Sequence, residues 1–167
     1  MRYNRIKDFD IKQGDGINVS LWVQGCSHRC TGCHNSETWD FKGGKPFTLE
    51  TISHIVDLLT KDNIHKNLSI LGGEPLEDVN LKQLASLVAW VKMFTNAKIW
   101  IWTGYKIENL LLKNDEDLKF ILGNIDYLVD GKFIEKDKIE SRYKGSANQR
   151  VINLEESRKN GEIIVKG

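Results

Sequence analysis

Proline is almost absent: Pro46 and Pro75 are the only two in 167 residues. With no repeat and no Pro- or Ser-rich tract, nothing marks a linker or a low-complexity segment. An excess of either charge is also missing. Lys and Arg total 24, Asp and Glu total 23, and the formal net charge is +1. Such a balance provides no basic field for a phosphate backbone, which argues against nucleic acid as a partner. No stretch reaches the ~18 consecutive apolar residues of a membrane span. The opening residues, MRYNRIKDFDIKQ, lack the apolar core of a signal peptide. The expected compartment is the cytosol, with no membrane partner. Cysteine is scarce, yet all three, Cys26, Cys30 and Cys33, fall within eight positions. An odd number so crowded makes a poor disulfide framework, and a reducing cytosol would not keep one. Ligation of a metal or a cluster is the better reading.

The length favours one domain, residues 1–167. A chain of this size buries roughly 70% of the surface its unfolded form exposes, so it needs no metal merely to fold. Apolar runs at 17–23, 68–71, 99–102 and 125–129 read as buried strands. Between them, 48–60 carries Leu49, Ile52, Ile55, Val56 and Leu59 on one helical face. Residues 81–91 repeat the pattern with Leu81, Leu84, Leu87, Val88 and Val91. Asn80 is the expected cap of that helix, with Gln83 completing a capping box. Two shorter helices are expected at 107–112 and 116–122. Runs at 151–154 and 162–165 are expected to pair as a C-terminal hairpin within 149–166.

Strand alternating with helix predicts an α/β fold of parallel units with right-handed crossovers. A closed eight-unit barrel typically needs ~250 residues. The expectation is therefore an incomplete, splayed (βα) barrel of about four to six mostly parallel strands. In such folds ligands gather at the C-terminal ends of the strands. The cysteine loop, Gly72–Pro75 and Thr103–Tyr105 all sit at strand ends. Their convergence on one rim is the structural argument for a single site.

The cysteines are spaced C-x3-C-x2-C in GCSHRCTGCHN, residues 25–35. A loop this short can wrap three sulfurs around one compact object. A [4Fe–4S] cube ordinarily takes four thiolates, so three leave one iron free. An open metal position is where substrate binds and reacts. Zinc is the rival: the cysteines and a histidine would form a Cys3His set. His34 directly follows Cys33, however, and His28 lies inside the first loop. Zinc sites usually draw two ligands from each of two separate segments. Both histidines read better as local hydrogen-bonders or cluster neighbours. Trp100 and Trp102 share one strand face and read as packing, with Ile99 and Ile101 on the other face.

C-x3-C-x2-C after a first strand resembles the signature of the radical S-adenosylmethionine (SAM) superfamily. The longer stretch VQGCSHRCTGCHNSETWDF is similar to the small activating enzymes of anaerobic ribonucleoside-triphosphate reductase. The likeness extends to LGGEPL at 71–76, IWIWTGY at 99–105, YLVDGKF at 127–133 and YKGSANQR at 143–150. It implies Cys26, Cys30 and Cys33 as ligands of one [4Fe–4S] cluster, with SAM chelating the open iron. Gly72, Gly73 and Glu74 would lie along the methionine part of SAM, where glycine lets backbone come close. Gly32, Cys33 and His34 would also line SAM, and Thr103 would reach its adenosyl part. Two positions depart from the family pattern: Asn18 stands where an Arg is frequent, and Leu71 replaces a small residue. Gly145–Arg150 matches the family without an evident physical role.

The resemblance implies an oxidoreductase that reductively cleaves SAM to a 5′-deoxyadenosyl radical. That radical would place a glycyl radical on anaerobic ribonucleoside-triphosphate reductase, with a flavodoxin-type protein as electron donor. The alternatives are an activator of another glycyl-radical enzyme, such as pyruvate formate-lyase, or a zinc-stabilised binding module.

Overall fold

The structure, a computed structural model, describes residues 1–166. The four apolar runs become β2 (Asn18–Gln24), β4 (Asn67–Gly72), β5 (Ile99–Trp102) and β6 (Tyr127–Asp130). These four pair in parallel, in that order. Further strands extend the sheet on both sides: β1 (Arg2–Asp10), β3 (Lys45–Pro46) and β7 (Arg150–Asn153). The order is β3-β1-β2-β4-β5-β6-β7, and each added strand pairs antiparallel to its neighbour. The fold is thus a mixed α/β sheet of seven strands. It has more strands than expected, and the added ones supply its antiparallel share. β1 escaped notice because RYNRIKDFD is rich in charge and only half buried. Its partner decides its state, not its own apolar content.

Successive side chains of a strand point to opposite faces. One face of the sheet sends Val19, Leu21, Val23, Leu68, Ile70, Ile99, Ile101 and Leu128 into the main core. The helices α1 (Leu49–Thr60), α2 (Leu81–Phe94) and α4 (Glu116–Asn124) cover that face. The other face carries Trp100 and Val129, with Trp102, Tyr127 and Tyr143 packed against them. Trp100 stacks on Tyr127 at 4.2 Å, on Tyr143 at 5.1 Å and on Trp102 at 5.7 Å. Both tryptophans are packing residues, as expected, and Trp102 also reaches the cavity described below. Two loops meet over this second face. Arg142 Nε donates to the Gly14 carbonyl at 3.4 Å, the Tyr143 hydroxyl bonds Asp15, and Lys166 pairs with Asp15 at 2.9 Å. No helix is long and apolar enough to cross a membrane.

The starts of α1 and α4 follow local chemistry, whereas that of α2 does not. Thr48 caps α1, and Thr51 returns the bond in a capping box. The capping box expected at Asn80 and Gln83 does not form. Asn80 is already αR, at the end of a 3-10 turn over Asp78–Asn80 that runs into α2. Its side chain is released to donate to the Glu74 carbonyl at 3.1 Å. Gln83 instead donates to the Phe47 carbonyl at 2.7 Å and accepts from the Met1 amine. A short α3 (Ile107–Leu111) follows β5.

The tail differs from a plain hairpin. Between β7 and residue 165 lies α5 (Leu154–Asn160). Asn153 caps it, Glu155 and Glu156 sit in its first turn, and Gly161 closes it in the αL conformation. Among the described residues one antiparallel bridge, Ile152 to Val165, returns the chain to β7, with Asn153 N donating to the Ile164 carbonyl at 2.9 Å and Lys166 N to the Val151 carbonyl at 2.7 Å. Arg150, from the stretch without an evident role, ties three elements together. It donates to Asp130 of β6 at 3.0 and 2.5 Å and grips Glu108 of α3 at 2.9 and 2.8 Å. Those bonds hold the Glu108 carboxyl down at about 2.

Candidate cluster site

β2 ends at Gln24 and the chain turns at once through Gly25, whose φ is +103°. Gly25 N donates to the Thr38 carbonyl at 2.7 Å, and Cys26 N to the Trp39 carbonyl at 3.2 Å. The loop is therefore closed on itself by backbone before the second cysteine. Arg29 adopts a φ of +50°, a conformation unusual outside glycine. That turn lets Cys26, Cys30 and Cys33 all reach the wall of one cavity of about 430 Å³. Small-molecule sites span roughly 300–1,000 Å³.

The same cavity is walled by His34, Gly72, Gly73, Glu74 and Thr103. Of the residues that the resemblance assigned to the cluster or to SAM, only Gly32 lies outside the wall. It occupies an exposed turn with a φ of +74°, and its missing side chain would meet Glu135. Gly72 has a φ of +105°, and a Cβ there would lie 2.7 Å from both Val23 N and Val23 O. Gly73 lets its chain lie on the Gly25 carbonyl, and Glu74 N donates to that carbonyl at 2.9 Å. Glycine at 72 and 73 is thus what joins the second loop to the cysteine loop. Gly72→Ala adds a left-handed strain and an overpacked contact, together about 2–5 kcal/mol. The expected thermal midpoint of the cluster-free protein falls by roughly 5–15 °C in a calorimeter.

Glu74 has an environment that its sequence neighbourhood does not announce. Its side chain is almost fully buried. One oxygen accepts from the Leu76 amide at 2.9 Å and from the Thr103 hydroxyl at 2.7 Å. The other accepts from the Gly104 amide at 2.7 Å and lies 2.7 Å from His28 Nε2. One carboxylate therefore binds the cysteine loop, the β4 loop and the β5 loop. His28 packs edge-on against Tyr105 at 4.6 Å, and a Cβ on Gly104 would strike its ring. Nearby, Glu77 accepts from Ser27 N at 2.7 Å and Ser27 Oγ at 2.6 Å. The sequence singled Glu74 out as lining SAM; its carboxylate is instead taken up by the three loops. An acid directly after a Gly-Gly turn, opposite a loop histidine, has a reason to be there.

The thiols fit a cluster by their chemistry. Burial pushes the Cys26 thiol up to about 11, against the pull of the His28 and Arg29 amides and with a push from Glu74. Burial also raises Cys30, while the Phe133 amide draws it down. Amides aimed at sulfur are the contacts that tune an iron–sulfur centre. The Asn35 amide adds another, 3.4 Å from Cys33 Sγ. The zinc alternative loses ground in the same geometry. His28 Nε2 is engaged by Glu74, and His34 packs edge-on against Phe133 at 5.7 Å.

The parallel centre of a mixed α/β sheet, with three thiols, a double glycine and buried amides at its strand ends, makes a site of the iron–sulfur class with room for a second ligand. The family model described as a 4Fe-4S single cluster domain matches residues 12–152. The anaerobic ribonucleoside-triphosphate reductase-activating protein of Enterobacteria phage T4 is 39% identical over 152 residues, 90% of this chain and 93% of its own length. The protein of the same name from Escherichia coli strain K12 is 36% identical over 157 residues, 92% of this chain and 99% of its own. That from Vibrio cholerae is 38% identical, covering 89% and 96%. The chain belongs to the family of anaerobic ribonucleoside-triphosphate reductase-activating proteins, and it has a [4Fe–4S] cluster as cofactor.

Proposed function

We propose that this chain activates anaerobic ribonucleoside-triphosphate reductase by radical SAM chemistry, with Cys26, Cys30 and Cys33 as the cluster ligands. One observation carries the assignment of residues. Three thiols share a cavity with the Gly72–Gly73 backbone and with Thr103, all at the ends of parallel strands. Cys26, Cys30 and Cys33 would hold the cluster, which when bound and reduced would supply the one-electron chemistry for cleaving SAM and so for abstracting a hydrogen from a glycine of the reductase.

The rest is the work of this chain's own residues. Gly72 and Gly73 line the cavity, where their backbone would lie along the methionine end of SAM. Glu74 holds the three loops at fixed separation, which keeps Thr103 and the cysteine loop with His34 in the cavity wall. Trp22, Leu71 and Trp102 floor the cavity with apolar surface that keeps water from the reacting atoms. The seven-stranded sheet, helices on one face and loops meeting over the other, supports the reading of residues 1–167 as one splayed (βα) barrel. A flavodoxin-type protein is the proposed electron donor and the cytosol the proposed compartment.

The test is anaerobic reconstitution. The expected product is brown, with about four iron and four sulfide per chain, and it yields 5′-deoxyadenosine from SAM on reduction. Incubated with the reductase, it gives a glycyl radical signal in electron paramagnetic resonance. A colourless protein with one zinc would sink the proposal.

A further inference from the structure

The stretch Gly145–Gln149 is far from the cysteines in sequence, yet its side chains converge on the loop that leaves β6. Gln149 Nε2 donates to the Gly131 carbonyl at 2.8 Å, and Asn148 Nδ2 to the Lys132 carbonyl at 2.8 Å. Ser146, fully buried, accepts at Oγ from the Ile134 amide at 3.2 Å and donates to Asn148 Oδ1 at 2.6 Å. Gln149 Oε1 in turn accepts from the Gly145 and Ser146 amides at 2.8 and 3.2 Å, which braces the stretch itself. Three side chains therefore hold successive backbone groups of residues 131–134. The pairing of β6 with β7 already runs as far as Asp130 and Arg150. These extra bonds are not what brings the two strands together; they set the path of the loop beyond them.

That path lies over the cysteine loop. Among the held groups stands the Phe133 amide, which faces the Cys30 sulfur and draws that thiol down. The Phe133 ring is fixed on two sides. It packs edge-on against His34 at 5.7 Å, and a Cβ on Gly145 would meet it at 3.1 Å. Further on, the Glu135 side chain covers Gly32, where a Cβ would meet it at 2.7 Å. An amide aimed at a ligating sulfur favours the more electron-rich, reduced cluster and so raises its potential. A backbone amide is placed only by placing its loop.

We propose that Gly145–Gln149 is a positioning clamp for the cluster: Ser146, Asn148 and Gln149 keep the Phe133 amide on the Cys30 sulfur and thereby hold the cluster potential up. The inference rests on the reading of Cys30 as a ligand and adds residues that act on it from outside the cysteine loop.

The test uses the reconstituted protein without the reductase. In Asn148→Ala and Gln149→Ala the midpoint potential, titrated with electron paramagnetic resonance detection, is expected to move to more negative values. The iron–sulfur(cysteine) bands in resonance Raman are expected to move up, because a thiolate relieved of its hydrogen bond holds iron more strongly. Asn148 is exposed, so its truncation leaves no buried void, and circular dichroism checks that each variant folds. A clamp that serves the fold alone predicts a lower thermal midpoint with potential and Raman bands unmoved. That result in folded variants overturns the inference. A second measurement needs neither variant. With the phenylalanine nitrogens isotopically labelled, electron–nuclear double resonance of the reduced cluster is expected to show a coupled nitrogen. The coupling disappears in Phe133→Leu, which keeps the amide but not the label. No coupled nitrogen, or one unchanged in Phe133→Leu, also overturns the inference. An unsubstituted protein that accepts no four-iron cluster strikes the ligand reading, whereas a cluster-bearing protein that fails these tests strikes only the clamp.

Discussion

Cys30→Ala, reconstituted without oxygen, is expected to retain less than a tenth of the cluster of the unsubstituted protein, read as iron, sulfide and brown absorbance. The same holds for Cys26→Ala and Cys33→Ala. On the proposed assignment, with three thiolates from one loop, losing any one would leave a cube held at two corners. Cys26 makes the sharpest case. It is the buried member, closed in by the Thr38 and Trp39 carbonyls, so water cannot easily take its place. The informative comparison is with the histidines. His34 is exposed and packs edge-on against Phe133. His34→Ala should keep about four iron per chain, because its ring holds no corner. Full iron in any cysteine variant, or iron lost as completely in His34→Ala, would refute the ligand assignment.

Glu74→Ala is expected to unfold most readily of the single changes around the site. The substitution strands the Leu76 and Gly104 amides, the Thr103 hydroxyl and the His28 ring. A buried donor left without its acceptor costs about 1–3 kcal/mol, more when charge is involved. These losses are not additive, since the loops relax and water enters the gap. A total of about 3–5 kcal/mol is expected, lowering the thermal midpoint by roughly 6–20 °C. Glu74→Gln should lie between, because its amide accepts at one atom but presents N–H to another donor. A merely stabilising role predicts lost stability alone. A positioning role predicts more: in Glu74→Gln, measured at a temperature where it remains folded, the cysteine loop should become open to proteolysis and the cluster signal should broaden. Unchanged loop protection with lowered stability would reduce Glu74 to packing.

How far these features could be read beforehand depends on their range in sequence. β5 is Ile99–Trp102 as expected, because a short apolar run ends there at Thr103-Gly104. The helix α1 likewise starts at its cap and buries the face that Ile52, Ile55 and Leu59 mark out. Misreadings arose where a neighbour decides. β1 is polar enough to pass for a loop and becomes a strand only beside β2 and β3. Asn80 has the right chemistry for a cap but is drawn to the Glu74 carbonyl. The helix α5 is a different failure. Asn153, two acids, two bases and Gly161 spell it out locally, and the apolar pairs on either side drew the reading to a hairpin instead.

Within a span of some ten residues, this chain's own letters settle the chemistry. Cys26, Cys30 and Cys33 need no fold to be neighbours, and Gly72-Gly73 needs none to yield a bare backbone. Side-chain identity and short loops are enough for that. Which groups face them was decided only by the sheet. Glu74 meets His28 across 46 positions and Thr103 across 29, and Arg142 meets Gly14 across 128. Contacts of that span depend on parallel strands whose crossovers carry each new loop back to the same rim, and no local pattern encodes where a crossover lands.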